Sequence, residues 1–497
     1  MNFLRFWPRH KSRSSFNEGP LSFDLLYQLS YMSAISTAGL PRSQIFELGS
    51  QLPCSAANYI AEIQNLSQKW RYDYAVACRM VGESSKKEAV KSLLLRLASS
   101  LNSGEPESTF LDQEARIQAE AFNSDYERRV ESLRKWTEAY AALVVSAALI
   151  VMVAAVSMLI YPIAAGFTMA LAGVTVITGV VGAWFVYLAS PKEVKVHSPA
   201  QYCPAFIRAS RWERMLVPAA SVTLVLTLAA GMELGFSILA ASILLLPIGI
   251  FGTLCERQVS NKDRDIHTFL RSLGNVTSAI GITTSQAVGR LDLRSTAALA
   301  EDVKRLRSRL ASRLKPDLCW QRFSLETGSE LIYRSIRTFH DATRLGGEAD
   351  VVGERSSILA MSLDFLRAKR GQVSSSFTWL VIGVHGAIVG LLVFVSQVVT
   401  AFAGVVEGVY EEALADAPVR TVEIFSFSFQ SVPILKNLTL PCLLVLAATT
   451  AFAANAAAGG SRYKLYLYLG MTFGLSGAAM LIVPAMTDMI FASVSVM

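Results

Sequence analysis

The chain has 497 residues, of which 52% are hydrophobic and 17% charged, and it carries a formal net charge of +7. A soluble chain has about 25% charged residues, so an ordinary water-soluble globule is excluded, and long charge-free stretches alternate with normally charged ones. The positive balance reads as a topology signal and gives no ground for nucleic-acid binding, while six scattered cysteines and five scattered histidines form no CxxC, HExxH or other metal-ligand spacing.

Residues 1–20 form a basic tail in which Phe3, Leu4, Phe6 and Trp7 are interleaved with Arg5, Arg9, Lys11 and Arg13. Pro8 and these charges interrupt any signal-peptide core, which leaves a segment on an anionic membrane surface or a disordered tail. Residues 21–137 have helical spacing throughout, with one apolar face on Leu25, Leu26, Leu29 and Met32 and a break at Gly39-Leu40-Pro41. A second amphipathic run, Val90, Leu94, Leu97 and Leu101, ends at Asn102-Ser103-Gly104. Pro106 then sits near the start of a long helix, where its missing N–H costs little. Phe110, Ile117, Ala121 and Val130 are expected to mark that helix as it continues into the first membrane span.

Seven stretches approach the roughly 20 apolar residues that a membrane-crossing helix needs. They are 140–160, 163–188, 215–232, 234–254, 377–406, 432–453 and 465–491. The first two make a hairpin over 138–190. A loop at 191–214 precedes the third and fourth spans at 215–254, for which a shallow re-entrant pair also fits. A second normally charged region covers 255–375, and three spans with an acidic loop at 407–431 fill 376–497. Basic side chains number 17 in 1–137, five in 191–214 and 20 in 255–375, whereas 407–431 holds five carboxylates against Arg420. Basic segments stay on the cytoplasmic side, so the N-terminus is expected to be cytoplasmic and the C-terminus external.

The two charged regions repeat one another. Residues 29–50 line up with 271–292 at an offset of 242, with Gly39 meeting Gly281 and Ser43-Gln44 meeting Ser285-Gln286. Residues 92–114 resemble 333–355, and within them Gly104-Glu105 is matched to Gly347-Glu348 at an offset of 243, two residues more than the offset of the segment ends. The repeating unit is a helical domain followed by spans. Gly39, Gly104, Gly281 and Gly347 suit helix corners that need positive φ, and a corner on the exposed end of a bundle also suits partner contact. The expected fold is therefore all-α: a polytopic membrane protein with about seven transmembrane helices and two homologous cytoplasmic helical bundles.

With its Ala38-Gly39-Leu40-Pro41 first corner, its later Ser103-Gly104-Glu105 and Gly346-Gly347-Glu348 corners and its duplicated domain-plus-spans order, the chain resembles the F-domain family of the type II secretion system. That family includes the platform proteins of type IV pili, the tight-adherence pilus and the archaellum. The resemblance covers roughly 21–160 and 255–406, and the second copy departs from it with Ile282-Thr283-Thr284 in place of Leu40-Pro41-Arg42. It implies a scaffold in the cytoplasmic membrane on which a cytoplasmic hexameric secretion ATPase docks, and which helps lift pilin-like subunits into a filament. It also implies contact with membrane lipids, leaves room for a homo-oligomer and calls for no cofactor. The residues it makes candidates for partner binding are Gly39, Leu40, Pro41, Ser43, Gln44, Gly104, Glu105, Gly281, Ser285, Gln286, Gly347 and Glu348.

The remaining chemistry is sparse. No G-x-x-x-x-G-K-(S/T) loop is present, and the Gly-rich run at 345–355 lacks both a preceding strand and a following lysine. The sharpest electrostatic feature is 303–315, where Lys304, Arg305, Arg307, Arg309, Arg313 and Lys315 surround an apolar stripe of Val303, Leu306, Leu310 and Leu314. It reads either as a docking face for an acidic partner or anionic headgroups, or as a bundle helix with snorkelling cations. In the first reading, reversing Arg305, Arg307 and Arg309 weakens partner binding with little loss of fold. His385 is an ionisable residue within a span, and Gly386-x-x-x-Gly390 and Gly470-x-x-x-Gly474 permit close helix approach. A transporter is the alternative function, but the spans are nearly charge-free and the repeat centres on the charged regions. No nucleophile, metal site or acid pair supports an enzyme.

Overall fold

The computed structural model describes residues 21–160, 165–193, 195, 204–416 and 431–494. The basic tail, the 161–162 turn, most of 191–203 and the acidic side chains of 407–431 lie outside the described residues. In chain order the helices are α1 (Leu21–Ser36), α2 (Arg42–Ser50), α3 (Ala57–Trp70), α4 (Tyr74–Ser84), α5 (Glu88–Ser103), α6 (Glu107–Ile160), α7 (Ala165–Ala189), α8 (Pro204–Ala229) and α9 (Leu234–Ile280). They continue with α10 (Thr284–Ala287), α11 (Ala300–Ala311), α12 (Pro316–Thr327), α13 (Glu330–Arg344), α14 (Ala349–Asp416), α15 (Ser431–Ala458) and α16 (Arg462–Val494). No β-strand occurs among the described residues, and seven of the helices are long and apolar enough to cross a membrane. The chain is an all-α polytopic membrane protein.

The chain divides into two compact units. One comprises Met1–Arg128, Lys192–Ile207 and Cys255–Lys369, and so unites both repeat copies; the other comprises Arg129–Pro191, Arg208–Leu254 and Arg370–Met497. We call them the polar unit and the span unit.

In the polar unit α1 is buried at 14 of its 16 positions, so the predicted face of Leu25, Leu26, Leu29 and Met32 is only part of its buried surface. Its polar side chains find partners inside: Gln28 Nε2 donates to the Gly49 carbonyl at 3.0 Å, and Gly49 lacks the Cβ that would strike it. The amphipathic α5 buries Val90, Leu94, Leu97 and Leu101, as its spacing predicts. On α6 the phase differs from expectation. Phe110, Phe122, Tyr126 and Val130 are buried, whereas Ile117 is 44% exposed and Ala121 is exposed. The buried row runs through Glu114, whose carboxylate takes Arg96 Nε at 2.7 Å and Nη2 at 2.8 Å. That bidentate pairing lets a charged residue occupy a packed position. Among these helices a cavity of about 20 Å³ lies between Leu25, Met32, Ile60, Leu94 and Phe110. It has room for about one water and none for a substrate.

Backbone conformation brings out the repeat. Three pairs of residues separated by 242 positions have positive φ: Gly39 (65°) and Gly281 (71°), Arg71 (60°) and Arg313 (55°), and Gly104 (75°) and Gly346 (100°). The third pair corrects the sequence alignment. The left-handed corner belongs to Gly346 and not to Gly347, and with that shift of one residue the copies keep a constant offset. Gly347 serves close approach instead, because a Cβ there would lie 2.6 Å from Thr37 Oγ1.

The span unit has a core of Tyr140 and Val144 from α6, Ala183 and Val186 from α7, Phe377 and Val381 from α14, and a run of alanines on α15. Helix α16 approaches α9 closely through small residues. Gly470 and Gly474 face Ser242, and Gly477 lies against the Gly235 carbonyl. The Gly470-x-x-x-Gly474 motif therefore serves packing within the chain, whereas Gly386 meets only Leu475 and Gly390 has nothing within 4 Å of a Cβ. His385 is buried, with Nε2 at 3.1 Å from Ser476 Oγ and 3.3 Å from the Thr472 carbonyl. Arg370 is buried as well. It donates to the Pro191 carbonyl at 2.9 Å and to the Ala456 and Ala457 carbonyls at 3.1 Å each, so the C-terminal ends of α7 and α15 share one cation.

Candidate partner-docking surface

Helix α1 of the first copy lies against α13 of the second through a buried ionic seam. Arg334 Nη1 meets Asp24 Oδ1 at 2.8 Å and Arg334 Nε meets Glu330 Oε1 at 2.7 Å. Asp24 Oδ2 accepts from the Ser55 N–H at 2.8 Å and from its hydroxyl at 2.6 Å. The guanidinium lies over the rings of Phe23 and Tyr27, at 4.7 and 4.8 Å. Burial works against the charge of Arg334, but Glu330 and Asp24 outweigh it and hold its pKa above the usual arginine value. Tyr31 donates to Asp341 Oδ2 at 3.0 Å; burial, together with that carboxylate, pushes the phenol well above its ordinary pKa, so it stays a neutral donor. Burial also pushes the Cys54 thiol up to about 12. Further along, Arg355 Nη1 donates to the Ser33 carbonyl at 2.7 Å while its Nε meets Asp112 Oδ1 at 3.1 Å. These groups are paired with one another and turned away from solvent, so the seam holds the copies together and offers nothing to a partner.

The predicted corner residues, by contrast, reach the surface. Gly39, Pro41, Ser43 and Gln44 are exposed and Leu40 is half-buried. Arg42 Nη2 meets Glu107 Oε1 at 2.6 Å, which ties this corner to the exposed Gly104 and to the start of α6. Glu105 is partly used inside its own corner, where it accepts from the Ser100 hydroxyl at 2.8 Å. The Phe46 ring of α2 lies 4.7 Å from that of Tyr74, which brings the start of α4 to the same end. In the second copy Gly281, Gln286 and Glu348 are exposed and Ser285 and Gly347 are half-buried. Here Gln286 is occupied: its Oε1 accepts from the Thr283 N–H at 3.3 Å and its own N–H donates to Thr283 Oγ1 at 3.4 Å, which makes a capping box.

The basic stripe of α11 is less available than its sequence promises. Val303 and Leu306 are buried, but Leu314 is 54% exposed and lies past the helix end. Lys304 pairs with Glu301, Arg305 with Asp302, and Arg309 with Glu326. Reversing Arg305 and Arg309 would therefore remove one pair within α11 and one between α11 and α12, so some loss of stability is expected alongside any loss of binding. Arg307 and Arg313 are exposed and make no ion pair among the described residues.

Residue-by-residue reading of the sequence missed the α3–α4 turn. Trp70 is 71% exposed and Tyr72 is 42% exposed, and between them Arg71 holds positive φ. The signal was available in the repeat itself, since Arg71 precedes Arg313 by the same 242 residues that separate Gly39 from Gly281. Among the described residues no group of three or more His, Cys, Asp and Glu side chains is placed to hold a metal ion.

The chain is similar to a protein named Flagella accessory protein J in two organisms. It is 24% identical to that of Methanococcus voltae over 368 residues, which is 70% of this chain and 64% of the relative. It is 26% identical to that of Methanocaldococcus jannaschii over 338 residues, 65% of this chain and 59% of the relative. The chain thus spans less than two thirds of the length of either. No family model and no solved structure matches it.

Proposed function

We propose that the chain is the platform of a pilus-like filament machine, a membrane scaffold that couples a cytoplasmic secretion ATPase to the assembly of pilin-like subunits. The observation that carries this reading is a helical domain used twice, with matched left-handed corners 242 residues apart, in a chain that also has seven apolar helices and is similar to two flagella accessory proteins. In this reading 21–137 and 255–375 are the cytoplasmic F-type domains, the basic segments keep them inside, and the spans meet lipid and further copies of the chain. The work is mechanical: an ATPase displaces one end of the polar unit, and the seam obliges both copies to move together.

The test is co-purification of the full-length protein in mild detergent with the secretion ATPase of the same cell, alongside a deletion strain. Retention of the ATPase on the solubilised protein, and loss of surface filaments from the deletion strain with pilin-like subunits left in the membrane, are the expected results. A deletion strain that still builds filaments, with no ATPase retained, would end the proposal.

A further inference from the structure

The two left-handed arginines stand out because neither needs to be an arginine. Each sits just past a helix, α3 or α11, where the following N–H folds back onto a carbonyl of the last turn: Tyr72 to Leu66 and Leu314 to Arg309, both at 3.4 Å. Glycine is the relaxed residue at such a helix end. A non-glycine residue there carries backbone strain, and strain that the fold does not require points to a use for the side chain.

Around Arg71 the surface has a consistent character. Trp70 and Tyr72 flank it, and Val76 and Met80, 46% and 42% exposed, continue the apolar surface one turn apart on α4. Lys69, Arg71 and Arg79 are all exposed. The adjacent carboxylate, Asp73, is turned onto the Ala75 N–H as the cap of α4. The tip therefore presents an indole and a phenol ringed by cations. Tryptophan, tyrosine and arginine dominate the energetics of protein interfaces, and exposed apolar clusters of this kind mark interaction sites. The Phe46–Tyr74 contact places the tip at the same end as the Gly39–Gln44 corner. In the second copy Arg313 has only Ser312 and the exposed Leu314 beside it, so the strained arginine is kept and the aromatic pair is not.

We infer that the α3–α4 tip, with Trp70 as anchor and Arg71 as its charge, docks an acidic protein surface that offers a pocket for the indole. Arg313 of the second copy adds long-range attraction without an anchor. The inference rests on the platform reading, in which the secretion ATPase is the protein that approaches this end. Cationic charge selects an acidic partner, and the aromatic pair supplies contact area at small entropic cost.

The experiment uses the full chain in nanodiscs of neutral lipid and measures binding of the secretion ATPase of the same cell. Trp70→Ala is expected to weaken binding about 30-fold, the effect of losing an interface hot spot. Arg71→Gly separates docking from structure, because glycine relieves the positive φ. A merely structural Arg71 predicts equal or higher stability with unchanged binding. The docking role predicts equal or higher stability with binding weakened about fivefold, and Arg313→Gly a smaller loss of on-rate only. Wild-type binding that survives both Trp70→Ala and Arg71→Gly sinks this inference and leaves the platform reading standing. A wild-type protein that does not bind the ATPase sinks this inference, and together with a deletion strain that still builds filaments it sinks the platform reading as well. Repeating the measurement in anionic nanodiscs covers the other chemistry: a Trp70 effect seen only there assigns the tip to lipid headgroups and overturns the proposal.

Discussion

In the first copy the chain turns from α1 into α2 through Gly39-Leu40-Pro41, and in the second it turns from α9 into α10 through Gly281-Ile282-Thr283. The backbones nearly coincide, with φ/ψ of −62°/146° at Pro41 and −67°/150° at Thr283, and φ of 65° and 71° at the glycines. The side chains do not. Proline fixes its dihedral covalently and leaves Gln44 exposed, whereas Thr283 reaches a similar dihedral and engages Gln286 in a cap. The same divergence separates Trp70-Arg71-Tyr72 from Ser312-Arg313-Leu314. It also separates α1, buried nearly all round, from the end of α9, where Ile280 is 47% exposed. What the two copies retain is the set of turns that shapes a bundle. What has changed is which corner keeps its glutamine uncapped and which helix is buried nearly all round.

The largest expected effect tests whether the copies are one body. Arg334 and Asp24 have side-chain exposures of 4% and 2%, and Glu330 one of 11%, so replacing Arg334 with methionine strips two buried carboxylates of their shared cation. The expected loss is about 3–5 kcal/mol, measured by denaturant unfolding of the detergent-solubilised protein. Adding Asp24→Leu should recover part of it, since an apolar pair replaces one buried ion pair while Glu330 and the Ser55 donors still lack the partners they had. Hydrogen exchange sharpens the comparison. In Arg334→Met, protection should fall in α1 as well as in α13, and a change confined to α13 would show that the seam does not join the copies.

A smaller effect tests the shared backbone. Around Gly39 and Gly281 nothing lies within 4 Å of a built Cβ, so the cost of alanine comes from positive φ alone. Gly39→Ala and Gly281→Ala should each destabilise by about 1–2 kcal/mol, and by the same amount within about 0.5 kcal/mol. Unequal costs in the same unfolding assay would mean that the corners only look alike.

Much of this architecture was legible in the sequence because its signals are long. Seven apolar stretches, charge-free but for Lys436 and Asp488 near the ends of the last two, and an offset of 242 residues survive errors of a residue or two, and so does the amphipathic row of Val90, Leu94, Leu97 and Leu101. The failures are local. The buried row of α6 passes through Glu114, which hydropathy scores as exposed until its pairing with Arg96 is known. The stripe on α11 looked free because Asp302 and Glu326, which neutralise Arg305 and Arg309, lie before it and on α12. Gly346 and Gly347 are adjacent glycines, and only the backbone tells which one turns left-handed. The α3–α4 tip is harder to read, because an arginine in a left-handed conformation leaves no mark in composition or hydropathy, and the match of Arg71 with Arg313 gains its meaning only when φ angles are compared across the repeat.

The smallest effect asks whether the two corners are alternative solutions to one problem. Both hydrogen bonds of the Thr283–Gln286 box are long, at 3.3 and 3.4 Å, so Thr283→Ala should cost about 0.5–1 kcal/mol, the low end for a lost cap. Thr283→Pro is the informative partner. Proline accepts φ near −67° without strain and, by restricting the unfolded chain, offsets part of the lost cap, although it removes the N–H that donates to Gln286 Oε1. Stability within about 0.5 kcal/mol of wild type, in the same unfolding assay, is the outcome expected if the second corner can be converted to the chemistry of the first. Such a variant also frees the Gln286 side chain, so the second corner would then present what Gln44 presents in the first. A loss well beyond that of Thr283→Ala would show instead that the Ile282-Thr283 backbone cannot take a proline, and that the likeness of the corners ends at their dihedral angles.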